Sequence, residues 1–188
     1  MSMTIRLASA QDAKAIRKIY EAYISTPITF ELQPPAVEEM ERRIADTLRT
    51  FPWLVAIDGD QIVGYAYGHE FRDRPAYRWS VETSVYVAQN AHRKGVGKAL
   101  YERLLTLLKA QGFVSVMAGI TLPNAASVAL HEHFGFTRVG VCKNIGYKDS
   151  AWHDVVFFEL QLNPPTTMPS VPLPLSTVLD LLAQTAKT

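Results

Sequence analysis

Residues 81–100, "VETSVYVAQNAHRKGVGKAL", run a β-patterned segment into a basic loop with two glycines and on into the start of an apolar-striped helix. In a strand, residues two apart share a face, so Val81, Thr83, Val85 and Val87 point one way while Glu82, Ser84 and Tyr86 point the other. The first face reads as core and the second as a candidate site. The loop delivers Gly95 and Gly97 where a helix must begin, and glycine lets backbone N–H groups approach a ligand without a side chain in the way. First-turn N–H groups lack helical partners and carry the positive end of the dipole, which suits a phosphate. No Gly-Lys-Ser/Thr follows at P-loop spacing, and the third glycine of the dinucleotide fingerprint is missing. What remains is a pyrophosphate bound by a shorter cradle, although a Gly-x-Gly before a helix is by itself more often packing or a turn.

Working outward, "SAQDAKAIRKIYEAY" sets Ser9 three residues before Asp12, an acidic variant of the capping box, and puts Ala13, Ile16, Ile19, Tyr20 and Tyr23 on one helical stripe. A second helix is predicted in "PAVEEMERRIADTLRT", and between the two lies the proline-marked loop "STPITFELQPP" with Phe30. "WLVAIDGDQIVGYAYGHEF" reads as a hairpin turning at Asp58-Gly59, followed by the polar loop "RDRPAYR". After the central helix, ended by Gly112, come a buried-type strand "FVSVMAGI", a short helix capped by Asn124, and two last strands.

The chain has 188 residues, enough for one domain with a full core, with 48% hydrophobic and 20% charged residues. Its 19 basic and 18 acidic residues leave a net charge of +1, so no general field favours nucleic acid and an anionic ligand must meet a local cluster. No apolar run is long enough for a membrane span and no secretory leader is visible, so a cytoplasmic location is expected, with no membrane partner. Cys142, the single cysteine, cannot form an internal disulfide and reads as a small apolar filler in a strand. The domain is expected to span residues 1–162. Residues 163–188 read as a proline-rich tail, extended, with a short amphipathic helix at Ser176 to Ala186.

"HRKGVG" resembles the (Gln/Arg)-x-x-Gly-x-(Gly/Ala) motif of the GNAT N-acetyltransferase superfamily, and "NAASVALHEHFGF" resembles its second, asparagine-led motif. More closely, "ITFE", "GYAYGHEFRDRPAYRWSVETSVYV", "LYERLL", "LPNAASVALHEHFGF" and "WHDVVFFEL" are similar to the phosphinothricin and methionine sulfoximine acetyltransferases over residues 4–162. The first motif position, usually Gln or Arg, is His92 here. The resemblance implies an α+β (α/β) fold, with a mixed, mostly antiparallel sheet flanked by helices and splayed at the acetyl-CoA strand. It further implies a homodimer, acetyl-CoA as co-substrate and no metal.

By the same resemblance the backbone of Val85, Tyr86 and Val87 lies along the pantetheine arm, with a Val85 N–H polarising the acetyl carbonyl. Residues Arg93, Lys94, Gly95, Val96, Gly97 and Lys98 cradle the pyrophosphate, Asn124 reaches the arm from the other side, and His133 touches the cofactor's edge. Glu82 is expected to be the base that takes the amine proton, and His131 an acid, a second base or a substrate-orienting donor. The acceptor is expected to be a small amino acid with an anionic or strongly polar end. Arg72 and Arg74 would fork onto its oxyanion, Tyr77 and Trp79 wall it, Thr83 line it, and Phe30 close it from the neighbouring subunit. Other readings stand beside this one: a transferase for a polyamine or a protein N-terminus, a non-catalytic acyl-CoA sensor, and an interaction protein using its tail.

Overall fold

A computed structural model describes residues 3–185. Seven strands make one sheet in the order β1-β2-β3-β4-β5-β7-β6. They are β1 (Thr4–Leu7), β2 (Trp53–Asp58), β3 (Gln61–Glu70), β4 (Ser80–Val87), β5 (Ser115–Thr121), β6 (Thr137–Lys148) and β7 (Ala151–Gln161). Five helices flank it: α1 (Ala13–Ile24), α2 (Val37–Leu48), α3 (Val96–Gln111), α4 (Ala125–His133) and α5 (Leu175–Thr185). The expected mixed, mostly antiparallel sheet is present, and β4–β5 is its parallel pair.

Both faces of the sheet are packed. On one, Leu100, Tyr101, Leu104 and Leu108 of α3 bury themselves against Leu54, Ala66, Val81 and Val116. Each such leucine contributes roughly 1.5–3 kcal/mol relative to exposure. On the other, Ile16, Ile19 and Tyr20 of α1 and Met40 and Ile44 of α2 cover Trp53, Val55 and Tyr65. This corrects the one-sided reading of β4: Tyr86, on the face expected to be free, packs edge-on against Tyr20 and Tyr23, with ring centroids 5.1 Å away in each case. Alternation of apolar residues marks one buried face, but an aromatic on the second face can pack as well once a helix covers it.

The turns follow from left-handed backbone where the chain reverses. Asp58 pairs with Gln61, so the β2–β3 loop is Gly59-Asp60, one residue later than expected, with Gly59 at φ 60. Asp149 and Ser150, at φ 50 and 60, close the β6–β7 hairpin. β6 is an edge strand with few covering neighbours, and Cys142 on it is exposed rather than a buried filler.

The proline-rich segment is extended but bound to the body. Asn163 Nδ2 donates to the carbonyls of Lys109 and Phe113, and Trp79 Nε1 donates 2.8 Å to the Ser170 carbonyl. Gln111 Nε2 bridges the carbonyls of Thr50 and Leu173. α5 then inserts Leu175 and Val178, 3% and 1% exposed, and Val178 joins the cluster around α3. Ala186, the expected end of that helix, lies outside the described residues.

Candidate active site

β4 and β5 pair only over Ser80↔Ser115, Val81↔Val116 and Glu82↔Met117. Beyond Glu82 the strands part, while β5 stays paired to β7 up to Thr121↔Val155. The opening is a cleft of about 690 Å³ between β4, the start of α3, β5 and α4. β4 is bonded to β3 on its other edge, so alternate peptide groups of its last residues face the cleft without a strand partner. Val87 shows the direction: its N–H and carbonyl are met by Tyr23 Oη at 3.3 and 2.5 Å rather than by β3. By the two-residue period, the Val85 peptide points to the same edge.

The glycine loop forms the far wall. Arg93 at φ 61 and Gly95 at φ 80 wind the backbone into the first turn of α3, and Arg93, Gly95, Val96, Gly97 and Lys98 all line the cleft. Lys94 is exposed and lies outside that lining. The helix start is seated tightly, because a Cβ on Gly64 of β3 would stand 2.8 Å from Val96 Cγ1. Unpaired N–H groups, the helix dipole and two cationic side chains, Arg93 and Lys98, lie along that wall, an arrangement that favours an anion. His92, at the motif position usually held by Gln or Arg, lines the cleft with its ring on the end of β4. Its Nε2 lies 3.0 Å from the Val87 carbonyl and 3.1 Å from Tyr23 Oη, and since a carbonyl only accepts, that nitrogen carries a proton.

Opposite, Asn124 caps α4, its Oδ1 accepting from the Ser127 N–H at 3.1 Å. That leaves its amide NH₂ for the cleft it lines. His133 also lines the cleft and is exposed, whereas His131 is 2% exposed. His131 Nδ1 donates to the Ser127 carbonyl at 2.7 Å, so its Nε2, 2.9 Å from Tyr101 Oη, accepts from the phenol. Burial lowers the imidazole pKa and the Ser127 contact opposes that shift only in part. The ring is therefore neutral at pH 7 with no proton free to give. Tyr101 in turn lies 3.1 Å from Thr83 Oγ1, and burial pushes its phenol far up.

Glu82 sits where the sheet begins to open. Glu82 is half-buried and is not among the residues that line the cleft; its Oε1 lies beside Gly119 of β5, which does line it, at ordinary contact distance (3.6 Å) from where a Cβ on that glycine would stand. Arg72 and Arg78 bond backbone carbonyls of their own loop, and neither forms an ion pair with Glu82 among the described residues. An unpaired carboxylate beside an open strand edge can take a proton from a ligand lying there.

The acetyltransferase (GNAT) domain model matches residues 5–157. The chain belongs to this family. As a GNAT enzyme it transfers acetyl groups, and its relatives narrow the field. It is 38% identical to a phosphinothricin N-acetyltransferase of Streptomyces viridochromogenes, over 94% of this chain and 95% of that one. It is 33% identical to an L-methionine sulfoximine/L-methionine sulfone acetyltransferase of Pseudomonas aeruginosa, over 90% and 100%. The crystal structure of a phosphinothricin acetyltransferase from Sinorhizobium meliloti in complex with AcCoA superposes with a TM-score of 0.86 at 37% identity, covering 90% of this chain and 94% of that one.

Within this GNAT chain the expected acceptor residues are not gathered in one place. Thr83 lines the cleft, but Arg72, Arg74, Tyr77 and Trp79 do not. Arg72, Arg74 and Tyr77 are exposed on the loop before β4, and Trp79 spends its indole N–H on the tail. Phe30 is 39% exposed, its ring over Gly146 of β6. The structure adds Tyr23, Ile28, Tyr101 and Gly119 to the cleft. Of these, Gly119 carried a signal, as an isolated glycine within a strand pattern. Tyr101 follows Leu100 on the apolar stripe of α3 and reads only as core.

Proposed function

We propose that this chain is an amino-acid N-acetyltransferase taking its acetyl group from acetyl-CoA and delivering it to the α-amine of L-methionine sulfoximine, L-methionine sulfone or L-phosphinothricin, and so detoxifying them. The observation that carries this reading is the unpaired Glu82 carboxylate at the point where β4 leaves β5. The named acceptors of two relatives support the substrate class.

The cleft suits acetyl-CoA. The free edge of β4 at Val85 offers a peptide group to a pantetheine arm, with Tyr86 and Val87 lining the same cleft, and the backbone from Arg93 through Lys94 to Lys98 offers N–H groups to a pyrophosphate. Asn124 and His133 approach from α4. Acetyl-CoA would supply an activated thioester carbonyl; as the neutral amine attacks it the carbon–sulfur bond breaks, and CoA leaves as a thiolate that takes up the second proton shed by the amine nitrogen. A model α-amine has a pKa of roughly 7.7–8.0, so most of it must first lose a proton at pH 7. Glu82 takes that proton, directly or through one water. The Val85 N–H steadies the developing oxyanion. His131, with its Nδ1 proton spent on Ser127, acts as the acceptor that orients Tyr101.

The enzyme works as a cytoplasmic homodimer. Exposed Val139, Ile145, Tyr147 and Trp152 offer β6 and β7 as an apolar face for a second copy. Arg72, Arg74 and Tyr77, with Phe30, complete the acceptor pocket across that interface, where a guanidinium fork would hold an oxyanion.

The test is thiol release from acetyl-CoA with the three analogues, glutamate, spermidine and a Ser-Ala peptide, for wild type and Glu82→Gln. Turnover confined to the analogues, reduced about 10²-fold or more in the variant at neutral pH, is expected. Turnover of spermidine or the peptide alone would keep the acetyltransferase and remove the acceptor class.

A further inference from the structure

Lys148, the last residue of β6, is 3% exposed, and none of its partners is a carboxylate. Its Nζ donates to three backbone carbonyls, those of Thr26 at 2.8 Å, Thr29 at 2.7 Å and Glu31 at 2.9 Å. An ammonium has three N–H donors, and all three are used on one loop. Burying a cation without a counter-ion is unfavourable, and an apolar residue of similar volume would serve packing alone as well. What Lys148 supplies that an apolar residue cannot is the position of that loop.

The loop joins α1 to α2 and has no regular structure of its own. It reaches the cleft through Ile28, one of the lining residues, and carries Phe30 two residues later. Further ties hold it on the α1–α2 side: Thr29 Oγ1 lies 2.6 Å from Tyr20 Oη, Arg43 donates to the Glu31 carboxylate at 2.7 Å, Arg17 Nε donates to the Pro35 carbonyl at 2.7 Å, and Thr26 Oγ1 donates to the Tyr23 carbonyl at 2.7 Å. On the β6–β7 side, besides Lys148, Gly146 leaves space for the Phe30 ring, since a Cβ there would run into its Cζ.

We propose that Lys148 is a positioning residue for the acceptor: its ammonium gathers residues 26–31 against the β6–β7 hairpin and so sets the wall of the cleft that the amine substrate, and not acetyl-CoA, meets. This rests on the acceptor class proposed above. Lys148→Met keeps an unbranched side chain one atom shorter and removes its donors, while Gly146→Ala pushes Phe30 off the same hairpin and leaves Lys148 intact.

Steady-state kinetics on full-length wild type and variants, with whichever amine wild type turns over, should show an acceptor KM raised about tenfold in Lys148→Met and in Gly146→Ala, with the acetyl-CoA KM within about twofold. Lys148→Arg, which keeps a cationic donor, should recover part of the loss. A second readout needs no substrate: chymotryptic cleavage within residues 25–35, mapped by mass spectrometry, should quicken in Lys148→Met. Absence of turnover with every amino-acid analogue would remove the acceptor class while the cleavage assay still reads the loop. A folded Lys148→Met with unchanged acceptor KM and unchanged cleavage overturns the proposal. If that variant does not fold, an unchanged acceptor KM in Gly146→Ala overturns it instead.

Discussion

At the scale of single residues, His131 links burial to pH. Its imidazole is held neutral by desolvation, so its folded pKa lies below the ordinary value of 6.5. The unfolded chain therefore binds a proton that the folded chain refuses, and stability is complete above about pH 6.5 and falls as pH drops from there toward the lowered native value. The slope from this one group is at most about 1.4 kcal/mol per pH unit. Urea midpoints between pH 7.5 and 5.5 should fall for wild type and fall less for His131→Gln; equal slopes would mean that His131 protonates without cost. The cap at Asn124 and the glycine turn at Gly95 were legible at this scale, because each depends on residue type and spacing along one short segment. Tyr101 and Tyr23 were not, because a tyrosine on a buried helical stripe reads as core until a partner from elsewhere in the chain meets its hydroxyl. Here those partners are His131 and Val87.

At the scale of elements, the seating of α3 on β3 decides where its free N–H groups lie. A Cβ on Gly64 would stand 2.8 Å from Val96 Cγ1 and 3.1 Å from the Tyr86 carbonyl oxygen. Gly64→Ala should force the first turn of α3 away from the sheet, costing about 1–3 kcal/mol in chemical denaturation. It should also raise the acetyl-CoA KM with the acceptor KM little changed, the reverse of the split expected for Lys148→Met. The limits of α3 were legible at both ends, since Gly95 and Gly112 take the left-handed conformations that start and stop it. The parting of β4 from β5 was expected from family likeness alone. Nothing in the alternation of β4 shows that pairing stops at Glu82, since a strand edge facing a ligand has the same side-chain pattern as one facing another strand.

At the scale of the whole molecule, the tail is part of the folded body. Leu175 and Val178 are buried, each worth roughly 1.5–3 kcal/mol. Removing residues 163–188 should therefore lower the melting temperature by several degrees and alter the fluorescence of Trp79, which loses its bond to the Ser170 carbonyl. An unchanged melt would mean that the docked tail contributes no net stability. The sequence by itself determined the main helices and strands, the cap at Asn124 and the glycine-led start of α3, since each rests on neighbours within a turn or a strand. Only the tertiary structure decided that Tyr86 packs against α1 on the second face, that His92 bonds the end of β4, that Cys142 is exposed, and that Lys148 holds a loop more than a hundred residues before it. These depend on which distant backbone group or covering layer a side chain meets, and local periodicity does not encode that.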